Sequence, residues 1–294
     1  MGTSALKFHD VPRMPGSTLL LALTGWMDGG LVSTGTVKHL MQDRELVKVA
    51  EIGMGGFYID NFPGSMEVSA LFRPHVKYEA GLVTMFDMGS NEVYADPASN
   101  MAFFLGREPN INWIGFADCI FEIVKKIGCK RIIFMGSFGG TVPHTREPRL
   151  FGSVSSKKLL PLLKQHGLRP SEYEGPGSFA TYLLIRAPKH RVEMISIAAE
   201  IPGYLQGMNP VSIETITRRL AHILSLPVNI SQLRDASNAW ELQVSDVVAK
   251  DEEMAKTVRK FEEHYDNELI GLPPPADDEE DGEPSEREEG EDER

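Results

Sequence analysis

The stretch that most limits what this chain can become is Ile132-Ile133-Phe134-Met135 running into Gly136-Ser137-Phe138-Gly139-Gly140-Thr141-Val142-Pro143-His144-Thr145-Arg146. Four apolar residues, two of them β-branched, are too few for a helix and read as a buried strand. The glycines, Pro143, His144, Arg146, Pro148 and Arg149 that follow read as a polar loop. A buried strand opening into such a loop puts the loop at the carboxyl edge of a sheet, where open α/β folds carry their crevices.

Other segments repeat that logic. Leu19–Leu23 is a second candidate central strand. It passes through Gly25-Trp26-Met27-Asp28-Gly29-Gly30 into a helical pattern from Leu31 to Met41, with Asp28 or a neighbour as cap. Its glycines are neither a dinucleotide fingerprint nor a P-loop, so packing is the favoured reason for them over ligand contact. Leu46–Ile52 reads as a strand, and Gly81–Met85 and Ala102–Leu105 are short apolar runs. Trp113, Phe116, Ala117, Ile120, Phe121, Val124 and Ile127 recur at helical spacing, with Asn110 or Asn112 as cap and Gly128 as the left-handed stop. Followed at once by the strand at Ile132, this predicts a βαβ unit in a parallel sheet.

Further on, Ser153–His166 is predicted helical with Pro161 as a kink or internal start. Tyr173-Glu174-Gly175-Pro176-Gly177-Ser178-Phe179 is a second edge loop leading into a helix. Val192–Ala199 is a strand that ends in a third, Glu200-Ile201-Pro202-Gly203-Tyr204. Asn209-Pro210 starts another helix. After Pro227 a seam of Trp240, Val244, Val247, Met254, Val258, Phe261 and Tyr265, interrupted by Asp251, predicts a long helical region. Its seam is expected to pack on its own domain, with a subunit contact as the other option.

Charge separates the end from the rest. The net charge is −12, but residues 277–294 hold twelve acidic and two basic side chains, leaving only −2 for the remainder. A near-neutral folded part carries no nucleic-acid footprint. The acidic stretch after Pro273-Pro274-Pro275 is expected to be disordered. Cys119 and Cys129 lack ligand spacing and read as free thiols. No apolar run approaches the ~20 residues of a membrane span, and no secretory signal pattern opens the chain, so a cytoplasmic protein is expected.

Three edge loops in this order, then Asn209-Pro210 and Phe261-Glu262-Glu263-His264-Tyr265-Asp266, resemble the PAC2 (proteasome assembly chaperone 2) family, in particular its bacterial branch. Gly25-Trp26-Met27-Asp28 and Asn61-Phe62-Pro63 fit the same pattern, and the resemblance covers about residues 15 to 268. It implies a three-layer α/β/α core with a largely parallel or mixed sheet, related to phosphorylase/hydrolase-like folds and found as a homo-oligomer. The expected organisation is a core domain over residues 1–226, a C-terminal helical segment over 227–271 and the acidic tail over 272–294. The resemblance also implies protein partners, among them proteasome subunits. The ending Glu291-Asp292-Glu293-Arg294 lacks the hydrophobic-Tyr-any tripeptide with which some archaeal members dock.

Two functions compete. A non-enzymatic binding or assembly factor is the favoured one. The alternative is a phosphorylase/hydrolase-type or ATP-dependent carboxylate–amine ligase enzyme built on the edge loops around His144 and Arg146. His144 would move protons and Arg146 would clamp an anion. Trp26, Asp28, Gly139, Gly140, His144, Arg146, Glu174 and Tyr204 are the ligand-binding candidates; His144 and Glu200 are the catalytic ones, with Arg149 beside them. No glycine-rich loop carries a lysine for phosphoryl transfer, and Lys157-Lys158 fall on a predicted helix. Gly136-Ser137-Phe138-Gly139 lacks the spacing of a nucleophile elbow, so Ser137 is not favoured as a nucleophile. No metal or cofactor is implied. Catalysis is left open.

Overall fold

The computed structural model describes residues 5–271. The expectation for the acidic tail therefore lies outside the described residues. In chain order the elements are β1 (Leu6–Phe8), β2 (Thr18–Thr24), α1 (Val32–Met41), β3 (Val47–Ile52), α2 (Met66–Ala70), β4 (His75–Glu79), β5 (Leu82–Asp87), β6 (Glu92–Asp96) and β7 (Met101–Arg107). Then come α3 (Trp113–Ile127), β8 (Arg131–Gly140), β9 (Leu150–Val154), α4 (Leu160–Gln165), β10 (Arg169–Pro170), α5 (Phe179–Arg186), β11 (Glu193–Pro202), α6 (Pro210–Leu224), α7 (Ser231–Val248) and α8 (Glu252–Leu269).

Nine strands form one mixed sheet in the order β1-β3-β6-β7-β2-β8-β11-β9-β10. Its centre, β7-β2-β8-β11, is parallel throughout. Antiparallel β6 and β9 flank it. The period-two alternation of a strand divides β2 between two cores. Leu19, Leu21 and Leu23 face a layer built on α3 and α5; Leu20 and Ala22 face α1, α4 and α6. Helices on both faces of a largely parallel sheet make the three-layer α/β/α architecture. Each fully buried Leu, Ile or Phe adds about 1.5–3 kcal/mol of transfer free energy.

Three local expectations change on folding. First, β8 does not stop at Met135 but runs through Gly136-Ser137-Phe138-Gly139-Gly140, because Ala198–Pro202 of β11 pairs with that whole extension. For the same reason Glu200-Ile201-Pro202 is strand and not loop. Second, Ser153 and Val154 belong to β9; helical structure begins only at Lys157, and Pro161 stands in the first turn of α4. Third, β7, α3 and β8 do follow one another, but β2 lies between the two strands. Nothing local in a sequence specifies which earlier strand inserts.

The C-terminal helical region is two helices. Its one acidic interruption, Asp251, is the N-cap of α8, and its carboxylate accepts the Met254 N–H at 3.0 Å. Asp251→Ala should therefore cost about 1 kcal/mol, read as a lower urea midpoint at unchanged m-value. A null result would mean that the helix break is held by packing alone.

Candidate functional site

The four parallel strands all end on one rim, yet their loops build two neighbourhoods there. Around β8 and β11 a polar cluster forms. Gly140 permits it: a Cβ at this position would stand 2.3 Å from Glu200 Oε1, so only glycine lets the buried Glu200 side chain lie across the strand. Glu200 is 6 % exposed and accepts the backbone N–H groups of Thr141 (2.8 Å) and Val142 (3.1 Å). Its second oxygen pairs with buried Arg149 at 3.0 Å. Gly139 and Gly140 also lie close to Gly203, so the β8 and β11 ends touch backbone to backbone.

His144, 3 % exposed, is held at its backbone N–H and at both ring nitrogens. Its backbone N–H donates to the Tyr204 hydroxyl oxygen at 2.9 Å, and Nδ1 lies 2.7 Å from the same oxygen. Nε2 lies 3.1 Å from Ser245 Oγ of α7, so both ring nitrogens are engaged. Burial pushes the His144 pKa down, against a partial upward pull from Glu262 and Glu241. Arg146 grips Asp266 of α8 in bidentate fashion, both contacts at 2.8 Å. Thr145 donates to Glu262, Arg149 reaches Glu268 at 2.7 Å, and its guanidinium lies 4.4 Å from the Tyr265 ring centre. The ring of Phe261 packs 6.1 Å from that of Tyr204. Helices α7 and α8 thus close over this half of the rim and engage most of its polar groups, leaving Arg149 Nε buried without a hydrogen bond among the described residues.

The sign of the His144 effect can be measured. A folded-state pKa below the ordinary imidazole value of about 6.5 means the unfolded chain binds more protons, so stability falls as pH drops through 6.5 toward the folded value. His144→Gln should flatten the stability slope between pH 7 and pH 5 in urea melts, whereas an unchanged slope would assign the effect to His166 and His190, whose pKa values burial also lowers.

The second neighbourhood is an open cleft of about 710 Å³ at the ends of β2 and β7. Trp26, 65 % exposed, stands in it with Arg107, Glu108, Asn110 and Trp113. Pro176 and Gly177 bound one side; Arg73, His75, Asp87 and Gly89, at the foot of the β4–β5 hairpin, bound the other. Glu108 ties the walls together by accepting Trp26 N–H at 2.9 Å and Phe179 N–H, the first residue of α5, at 2.8 Å. Trp113 Nε1 donates to the Pro109 carbonyl at 2.8 Å. Arg107 lies 5.1 Å over the Tyr58 ring, and among the described residues its guanidinium has no hydrogen-bond or ion-pair partner.

The candidates from the sequence therefore separate. Gly139, Gly140, His144, Arg146, Tyr204 and Glu200 come together under α7 and α8. Trp26 belongs to the cleft. Glu174 is exposed in the loop before α5 and shares no hydrogen bond with the His144 group. Asp28 is internal: its carboxylate accepts Thr34 N–H at 3.0 Å and Thr34 Oγ1–H at 2.8 Å, anchoring the start of α1, and burial raises its pKa. Gly30 packs against Asn209 and passes its carbonyl to the Asn209 N–H, so this loop serves packing. Ser137 Oγ donates to Gly29 O at 2.6 Å inside a strand. Arg107, Glu108, Trp113 and His75 were not foreseen, although Gly106-Arg107-Glu108-Pro109 after an apolar run is the same strand-to-polar-edge signature that marked β8. Among the described residues no cluster of His, Cys, Asp and Glu is placed to hold a metal, and no helix is long and apolar enough to cross a membrane.

Comparison with known proteins agrees with this architecture. The PAC2 family model matches residues 22–248. No curated protein matches the chain significantly. Among solved structures, a Mycobacterium tuberculosis protein of unknown function superposes with TM-score 0.79 at 21% identity, covering 92% of each chain. A proteasome-assembly chaperone homologue from the same organism gives 0.70 at 23% identity, covering 82% of this chain and 99% of its own. An archaeal proteasome activator of Pyrococcus furiosus gives 0.61 at 20% identity, covering 82% and 97%. At such identities these likenesses establish the fold.

Proposed function

The chain belongs to the PAC2 family, and on that premise we propose that it acts as a chaperone-like, protein-binding assembly factor of the cytoplasm and not as an enzyme. The observation that carries this reading is the state of the rim. An enzyme built on His144 and Arg146 needs a ring nitrogen and a guanidinium turned toward substrate. Here both His144 nitrogens are hydrogen-bonded, Arg146 is spent on Asp266, and Arg149 and Glu200 hold each other. Two structural neighbours carry the names proteasome-assembly chaperone homologue and archaeal proteasome activator, which supports protein partners, with proteasome subunits as the proposed client class.

In this reading residues 1–226 are the scaffold and residues 227–271 are the segment that closes its rim. The protein acts as a homo-oligomer, supported by the exposed apolar side chains of Leu242 and Val247 on α7 and of Leu269 and Ile270 at the end of α8. Light scattering that returns the single-chain mass of 32.6 kDa at micromolar concentration would reject the oligomer. The enzyme alternative is checked by thermal-shift measurements with inorganic phosphate, nucleosides and nucleotides at millimolar concentration. No stabilisation is expected; a dose-dependent rise in Tm abolished in R146A would restore the enzymatic reading.

A further inference from the structure

The cleft, unlike the polar cluster beside it, has binding groups to spare. Glu108 accepts backbone N–H groups at both oxygens and Asp87, beside the His75 ring, accepts Gly89 N–H at 2.7 Å, while the Arg107 guanidinium and the Trp26 indole N–H are unpaired donors among the described residues. A half-buried guanidinium backed by an aromatic ring and lacking a carboxylate is suited to receive one from outside. Beside it Trp26 offers an exposed flat face for an aromatic or aliphatic side chain.

The cleft also leads directly onto backbone able to pair. Strands β4 and β5 form a two-stranded sheet by themselves, and every residue in them is exposed. Each strand therefore presents one outer edge of unpaired N–H and C=O groups. His75 opens β4 and Asp87 closes β5, and the two are cross-strand partners at the end of the hairpin that lines the cleft. Val76 and Phe86 are paired above them, and Tyr78 stands two residues along β4, all three exposed. A row of free backbone groups with apolar side chains at alternating positions is the receptor side of strand addition. A compact small molecule would use the cleft and leave this edge idle; an extended chain uses both.

We propose that the cleft and the adjoining hairpin edge form one receptor for an extended, carboxylate-bearing segment of a partner protein. The carboxylate pairs with Arg107, a bulky side chain stacks on Trp26, and the backbone runs on as a third strand of the β4–β5 hairpin. This deepens the assembly-factor reading and rests on it: it states where on the molecule a client is held and by what chemistry.

The probe is a randomised heptapeptide library displayed on phage and selected against the full chain. Peptides combining an acidic residue with an aromatic one should be enriched. The affinity of the best of them, followed by fluorescence anisotropy of the dye-labelled peptide, should fall at least tenfold in R107Q and in W26A. Both side chains are partly or largely exposed, and equal Tm values for the variants show that the fold is kept. Val76→Pro, which removes one backbone N–H of β4, should weaken binding through the edge. Absence of any consensus, or a consensus whose affinity is indifferent to R107Q and W26A, overturns the receptor. A client protein captured equally well by the wild type and by both variants leaves the assembly-factor reading in place and removes this one, whereas failure of the wild type to retain any client removes the reading beneath it.

Discussion

Glu200→Ala should be the most damaging single change at the rim, lowering stability by about 3–5 kcal/mol. Three interactions end together: the acceptor for Thr141 N–H, the acceptor for Val142 N–H and the partner of Arg149. The cost lies less in the lost contacts than in what they leave behind, a nearly buried guanidinium and two backbone donors without acceptors. Glu268 retains one side of Arg149, which holds the effect toward the lower end of that range. Urea unfolding measures it, and a double variant, E200L/R149M, separates the causes. Removing both charges should recover much of the loss, since an apolar pair of similar volume leaves no orphaned charge. If the double variant is no better than E200A, the backbone bonds to residues 141 and 142 carry the effect, and the ion pair is incidental.

The second large effect is expected in the layer built on α3 and α5. Phe116 of α3 is fully buried with ring centres of Phe57, Phe179, Phe104 and Tyr58 at 5.0, 5.5, 6.3 and 6.3 Å, all near edge-to-face. These rings come from the loop after β3, from α5 and from β7, so one side chain joins three separate pieces of chain beneath the cleft. Phe116→Ala should cost about 3–5 kcal/mol through lost burial and a cavity the neighbours cannot fill, or roughly 10 °C in Tm for a domain of this size. Phe116→Leu, which keeps most of the volume, should cost less than half as much. An alanine variant within about 1 kcal/mol of wild type would show that the layer collapses around the gap, and that the cleft floor is softer than its packing indicates.

Much of the scaffold was readable one element at a time. The Trp113–Ile127 helix was set by its own periodicity, the Asn112 cap and Gly128, whose φ of +97° suits glycine. Asn209-Pro210 started α6 as expected, with the Asn209 side chain accepting the Ser212 N–H. Such features are local, because a cap, a stop or an amphipathic stripe depends on residues within a turn or two. The candidate list likewise found the polar rim around His144 and Glu200, since a strand that runs into glycine and charge announces its own edge. Strands β4 and β6 went unread for the converse reason, and β5 was seen only as the apolar run Gly81–Met85. They are short, and in the hairpin no face is buried to impose a clean alternation.

By itself, then, the chain determined that there would be buried strands ending in polar turns, that helices would flank them, and where α3 begins and ends and α6 begins. Tertiary structure alone decided that β2 inserts between β7 and β8, that Arg146 finds its carboxylate 120 residues away on α8, and that α7 and α8 seal one half of the rim while the other stays open. The difference is one of range. Periodicity and capping are set by neighbours in sequence, whereas the partner of a charge and the neighbour of a strand are chosen by long-range burial, which no stretch of residues encodes alone.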